Sequence, residues 1–267
     1  MSFSAAWLTL REPYDLRARN SDVMDALLAA FDGRSSVAVA DLACGTGSTL
    51  RALAPRLPAR QSWRLFDNDL SLLARAPQSS PPDLNVTTVP VDLNRDLEAA
   101  LDGPVDLVTT SALLDLVSEA WLERLAVEAA VRRLPVYAAL SYDGRIEMTP
   151  ADAADGAMVA AMNAHQRTDK GFGRALGPAA AKAAVERFER VGYSVVQGSS
   201  DWTFAPDDRE IQNEILSGWA AAVREIGTVP LADVIEWLTR RRDLVAAGRS
   251  SIRVGHIDFF AAPAATR

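Results

Sequence analysis

The chain is poor in the residues that build metal sites and covalent staples. It has one cysteine, Cys44, and two histidines in 267 residues. No internal disulfide can form, and no cysteine and histidine set has structural-zinc spacing. A reducing compartment, the cytoplasm, is therefore expected. No stretch reaches about 18 uninterrupted apolar residues. The opening MSFSAAWLTLREPYD lacks a basic segment, and Arg11 and Glu12 break its apolar run, so neither secretion nor membrane spanning is expected. Lysine is nearly missing: Lys170 and Lys182 stand against 26 arginines among 28 basic residues, a bias that fits a GC-rich genome better than a binding surface. The net charge is −7, which disfavours a grip on nucleic acid through phosphate neutralisation. A small-molecule partner is the default expectation.

What is present is an ordinary globular composition, 49% hydrophobic and 24% charged, long enough for one large domain or two small ones. From residue 37 onward short apolar runs alternate with amphipathic stretches, the pattern of a parallel sheet covered on both faces. Strands are predicted at Val37–Leu42, Trp63–Phe66, Val86–Val91, Val105–Thr110 and Pro135–Ser141. Helices are expected between them, the second opening on Asp69 as a cap, and Gln78–Asp83 reads as a surface loop. Five alternations in about 105 residues suit a doubly wound fold. Residues 145–177 lack a clean strand and read as an inserted lid. Helices follow at Pro178–Val191, Asp208–Ile226 and Pro230–Ala247, with strands at Tyr193–Gln197 and Ile252–Ala261.

The strongest motif is Asp41-Leu42-Ala43-Cys44-Gly45-Thr46-Gly47, directly after an apolar strand and before a helix. Glycines without Cβ atoms let such a turn curl under a ligand, and the next helix offers it free N–H groups. A dinucleotide fingerprint would need glycine or alanine where Leu50 stands, and no G-K-S/T marks a P-loop. Asp67 ends the second strand, where a carboxylate can accept hydrogen bonds from two ribose hydroxyls or cap the next helix. Asp92 ends the third strand, again a candidate ligand residue or cap.

The motif resembles motif I of the class I S-adenosylmethionine-dependent methyltransferases, although many members carry glycine where this chain has Ala43. The resemblance covers about residues 37–141. It implies a Rossmann-like, doubly wound α/β fold with a seven-stranded, mostly parallel sheet, its last strand antiparallel. It further implies S-adenosylmethionine as cofactor and S-adenosylhomocysteine as product. The cofactor site would comprise Asp41, Ala43, Gly45, Gly47, Asp67 with Asn68 for the ribose, Asp92 with Leu93 for the adenine, and Ser111 in the motif IV segment Thr110-Ser111-Ala112-Leu113-Leu114-Asp115. The segment Trp7–Asp15 resembles the family's N-terminal cover, with Arg11 or Arg19 as partners for the cofactor carboxylate and Tyr14 over the methyl donor; solvated helix charges are the alternative there.

The expected organisation is one domain, 1–267, with an N-terminal helical cap at 1–36, the cofactor core at 37–141, a lid at 142–177 and a helical insertion at 207–248. Ligands of open α/β sheets bind beyond the carboxyl ends of the strands, which places the lid over an acceptor. Candidate catalytic residues are His165, Asp143 and Tyr142. Candidate substrate contacts are Arg145, Gln166, Lys170 and Phe172; His165 has the right ordinary pKa for a base, and an exposed loop histidine is the alternative. His256, alternating with apolar residues, reads as structural. Methyl transfer needs no dedicated base, because alignment alone can supply about 7–11 kcal/mol. The expected function is methyl transfer to an O or N atom of a small molecule by a monomer or homodimer, with no metal. The alternatives are an RNA methyltransferase and a non-catalytic cofactor-binding module; an NAD-binding oxidoreductase is disfavoured by Leu50.

Overall fold

Buried residues in succession, from Val39 to Leu42, leave no wet face for a strand, and this one is hydrogen-bonded on both sides. The computed structural model describes residues 3–79 and 84–264, so most of the Gln78–Asp83 loop and the first two residues of the N-terminal cap lie outside the described residues. Two helices come first, α1 (Ala5–Ala18) and α2 (Ser21–Ala30). The core then alternates as β1 (Ser36–Leu42), α3 (Ser48–Leu53), β2 (Arg60–Asp67), α4 (Leu70–Leu73), β3 (Asn85–Pro90), α5 (Leu97–Ala100), β4 (Leu107–Ser111), α6 (Glu119–Arg132) and β5 (Val136–Thr149). After these come α7 (Asp155–His165), α8 (Ala180–Arg190), β6 (Tyr193–Ser199), β7 (Trp202–Phe204), α9 (Arg209–Ile226), α10 (Leu231–Ala246) and β8 (Ser251–Pro263).

The sheet order is β3-β2-β1-β4-β5-β8-β6, with β7 also on β8. The first five strands are parallel, and β8 runs antiparallel to β5, β6 and β7. The expected seven-stranded arrangement holds: β6 and β7 lie along the same edge of β8, pairing with it up to Ile257 and from Val254 onward. Successive strand residues point to opposite faces, and the core divides accordingly. Val37, Val39 and Leu65 join the side packed by α2, α9 and α10, whereas Ala40, Leu42 and Phe66 join the side packed by α5, α6 and α8.

Two boundaries differ from expectation. β5 runs eight residues beyond Ser141, to Thr149, so residues 142–149, assigned from sequence to the lid, are strand. Asp143-Gly144-Arg145 looks like a turn, but the sheet absorbs it as an irregularity between Tyr142 and Ile146, with Gly144 at φ +91°. The short strand β7 escaped notice because three residues are too few to show alternation. The segments expected as separate insertions meet. Arg241, fully buried on α10, donates to the Pro150 carbonyl (2.7 Å) and to Asp155 at the start of α7 (Nε, 3.1 Å), and Trp237 Nε1 donates to the same carboxylate (2.9 Å). This buried pair fixes α10 against α7, and both pack on α9.

Candidate active site

The carboxyl ends of β1, β2, β3 and β4 open onto one cavity. Its floor is the loop Ala43–Thr46, and its walls include Asp67, Asn68, Asp92, Leu93, Ser111, Phe172 and Lys170. Gly45 (φ +55°) and Gly47 (φ +83°) hold the left-handed turns that the motif demands, and a Cβ on Gly45 would stand 3.1 Å from Leu8 of α1. Ala43 also sits left-handed, at φ +54°. Among the described residues four non-glycines have positive φ, and three of them, Ala43, Ala112 and Leu140, line the cavities at the strand ends. Backbone strain is concentrated where ligands bind.

Asp67 is nearly buried, and its two oxygens accept from the Gly45 N–H (2.8 Å) and the Asp69 N–H (2.9 Å). Each oxygen keeps a second lone pair, which suits two vicinal hydroxyls. Helix capping falls instead to Asp69, which accepts from the Ser71 and Leu72 amides. Asp92 is exposed and accepts from the Asn94 N–H (3.0 Å). Ser111 Oγ is buried without a partner, and Arg11 reaches the cavity from α1, its Nε 3.1 Å from Asp15 Oδ2. Carboxylate acceptors for hydroxyls and an amino group, an orphaned hydroxyl and one guanidinium donor for a carboxylate fit the polar groups of S-adenosylmethionine.

Several expected residues lie elsewhere. Asp41 is fully buried below the loop, where Thr109 Oγ1 donates to it (2.7 Å); burial pushes its pKa up to about 7. Gly47 shapes the turn without lining the cavity. Tyr14 donates to Asp208 (2.7 Å) and packs edge-on against Phe204, away from the methyl-donor site expected for it; burial and the Asp208 carboxylate raise its pKa to about 12. Arg19 is half-buried and donates to the Tyr137 hydroxyl (3.0 Å), away from the cavity, so Arg11 is the guanidinium there. Asp143 and Arg145 pair with each other, and Arg145 also pairs with Asp201 (2.9 Å), on a shallow surface beside α8 rather than at the strand ends. Their side chains follow β5 across the sheet edge, which an assumed loop hid.

A second cavity, of about 620 Å³, adjoins the first and shares Phe3, Arg11, Ala112 and Leu116 with it. Tyr142, His165 and Gln166 line it. The Tyr142 hydroxyl donates to Asn163 Oδ1 (2.7 Å), and burial pushes its pKa up. His165 is buried, not a loose loop residue: its Nε2 lies 3.1 Å from Glu225 and its Nδ1 3.3 Å from Lys170 Nζ. Nε2 donating to Glu225 and Nδ1 accepting from Lys170 satisfies all three groups. Thr168 Oγ1 also accepts from Lys170 (2.9 Å), and burial lowers the lysine pKa. His256 lies against the Trp202 ring (4.6 Å between centroids), and its Nδ1 donates to the Val254 carbonyl (3.0 Å).

The sequence reading missed Asp115, Glu225 and Trp219. Asp115 lines the second cavity, 6% exposed, with Oδ1 unpartnered. Burial raises its pKa to about 6. An acid inside the apolar run Leu113-Leu114-Asp115-Leu116-Val117 was the signal available. Glu225 and Trp219 lie on α9, about a hundred residues further along, and nothing local marks them.

Residues 39–134 match the family model described as a methyltransferase domain. No curated protein matches the chain in sequence. Among solved structures, the cyclopropane synthase MmaA2 from Mycobacterium tuberculosis is similar at 11% identity, covering 97% of this chain and 94% of that one, with a TM-score of 0.53. A cyclopropane-fatty-acyl-phospholipid synthase-like protein from Lactobacillus casei is similar at 13% identity, with the same coverages and a TM-score of 0.55. At such identities the likeness is one of fold. The motif, the strand order and the matched model together make residues 39–134 a methyltransferase domain on a Rossmann-like sheet. A methyltransferase is the type of enzyme that this domain supports.

Proposed function

We propose that the protein transfers the methyl group of S-adenosylmethionine to an O or N atom of a small molecule seated in the second cavity. The observation that carries this reading is the 620 Å³ space continuous with the cofactor cavity, within the range of small-molecule sites and walled largely by apolar side chains. Asp67 would hold the ribose hydroxyls, Asp92 and the Leu93 backbone the adenine edge, Ser111 and the strained Ala112 backbone the methionine end, and Arg11 its carboxylate. The bound cofactor supplies a methyl on a positively charged sulfur. The chain's task is then alignment and exclusion of water, served by Phe172 against Trp121 on one side and the buried residues of α7 and α9 on the other.

Three carboxylates at the second cavity work against RNA as acceptor, and the described helices include none long and apolar enough to cross a membrane. Incubation with methyl-labelled S-adenosylmethionine and a fractionated cell extract tests the reading. Label is expected in molecules below about 1 kDa; label confined to RNA or to lipid would overturn it. Calorimetric titration with S-adenosylhomocysteine, NAD and ATP should show binding of the first alone.

A further inference from the structure

The second cavity is acidic for a space so apolar. Trp7, Trp202 and Trp219 form its walls, and the carboxylates of Asp115, Glu214 and Glu225 reach it. Among the described residues one lysine or arginine lines it, Arg11, whose guanidinium is already paired with the buried Asp15 and faces the Trp202 ring at 5.8 Å. Lys170 lines the cofactor cavity, but its ammonium rests on His165 and Thr168 and its charge offsets that of Glu225, which leaves Asp115 as the deep carboxylate of the second cavity. His256 has its pKa lowered to about 4 by burial, so it is neutral at pH 7 and adds no positive charge. Glu214 and Glu225 lie at the solvent side on α9, whereas Asp115 is deep, at the joint between β4 and the shared wall of the two cavities.

Asp115 Oδ1 is a buried acceptor without a donor. Burial raises its pKa to about 6 against the backbone N–H groups of Asp115 and Tyr142 and the charge of Arg11, which favour the ionised form, so the group is largely ionised at neutral pH while Oδ1 keeps an unused acceptor site. Such an atom costs free energy in the empty protein and recovers it when a donor binds. A buried carboxylate in a cavity that three indoles also line is an environment that attracts a cationic nitrogen on an apolar body.

We infer that the acceptor is an amine carried on an aromatic or aliphatic body, with its nitrogen at Asp115. This rests on the function proposed above and names its substrate class. The amine attacks as the free base, its extra proton left in solvent. The nitrogen–carbon bond forms as the carbon–sulfur bond breaks, the electron pair leaves with sulfur, and the positive charge passes to nitrogen. A fixed carboxylate beside that nitrogen stabilises the charge as it develops, which is where it accelerates transfer. Asp115 is thus a catalytic residue that binds and stabilises without removing a proton, while His165, held between Glu225 and Lys170, positions the cavity wall.

Three probes of one shape decide the matter: 2-phenylethylamine, 2-phenylethanol and phenylacetate, titrated into the full chain saturated with S-adenosylhomocysteine. Binding is read by the fluorescence of the tryptophans that line the cavity. The amine should bind at least tenfold more tightly than the alcohol, and phenylacetate more weakly still. In Asp115→Asn, which preserves shape, amine and alcohol should bind within about threefold of each other, with the affinity for S-adenosylhomocysteine kept. Equal binding of the three probes, preference for the acid, no binding of the amine, or an unchanged preference in Asp115→Asn would each overturn the inference. The methyltransferase reading fails separately, if S-adenosylhomocysteine itself does not bind.

Discussion

Asp67 joins the motif loop to the end of β2, and removing it separates two effects that the structure keeps in one carboxylate. Its oxygens accept from the amides of Gly45 (2.8 Å) and Asp69 (2.9 Å), leaving two lone pairs for the cofactor. In Asp67→Ala both amides lose their acceptor, and the cofactor hydroxyls lose a charged one. Hydrogen bonds to charged groups contribute about 1.5–3 kcal/mol each. Water entering the vacated space recovers part of that, so the expected loss in cofactor binding is about 1.5–3 kcal/mol in total, or roughly 10- to 150-fold in Kd. Asp67→Asn is not conservative here: an amide offers one oxygen, and its NH2 would point at one of two N–H groups. That variant should also lose at least about tenfold. Calorimetric titration with S-adenosylhomocysteine measures the effect, and circular dichroism with thermal melting confirms the fold. A folded Asp67→Ala protein binding within twofold of the original would refute the reasoning, because the carboxylate would then serve the loop alone.

Ala43 bears left-handed backbone strain where glycine would bear none. The strain costs about 1–2 kcal/mol, and glycine's extra freedom in the unfolded chain offsets about 0.5–1 of it, so Ala43→Gly should stabilise by about 0.5–1 kcal/mol in denaturant titrations. A lower midpoint would show that the methyl packs better than its backbone costs. His256 predicts a pH effect. Its pKa falls from 6.5 to about 4 on folding, so the unfolded chain binds the proton more readily between these values. Its contribution is intact above pH 6.5 and lost as pH falls through 4, by about 3 kcal/mol at pH 4. Asp41 and Asp115, with raised pKa values, act in the opposite sense as pH rises through 6 to 7, so the difference between His256→Phe and the unaltered protein isolates the histidine. That difference should shrink or reverse in the variant's favour from pH 7 to 4; a constant difference would reject the assignment.

The cofactor half of the site was legible because its parts are local. A strand, a glycine turn and a helix N-terminus follow one another in the chain, and an acid ends each of the next two strands; Gly45, Asp67, Asn68, Asp92, Leu93 and Ser111, which the family resemblance grouped, line one cavity at the strand ends. Asp41 looked equivalent but alternates to the inside of the sheet. Tyr14 and Arg19 failed for a different reason: they come from a helix whose rotation the sequence does not specify, and α1 turns Arg11 to the cavity, Tyr14 to Asp208 and Arg19 to Tyr137. Asp143 and Arg145 were misplaced with the strand end, since pairing with β8 extends β5 through a segment of turn-like composition.

The amino-acid order alone determined the alternation of strands and helices and the motif loop that carries the methyltransferase resemblance, because each depends on residues within one or two turns of chain. The second cavity, the proposed acceptor site, is different in kind. Its walls come from α1, the end of β4, β5, α7, β7, α9 and β8, and Asp115 acquires its chemistry by being buried there with one carboxylate oxygen unpartnered. Burial, orphaned hydrogen-bonding capacity and raised pKa belong to an environment rather than to a residue type. Only tertiary packing created that environment.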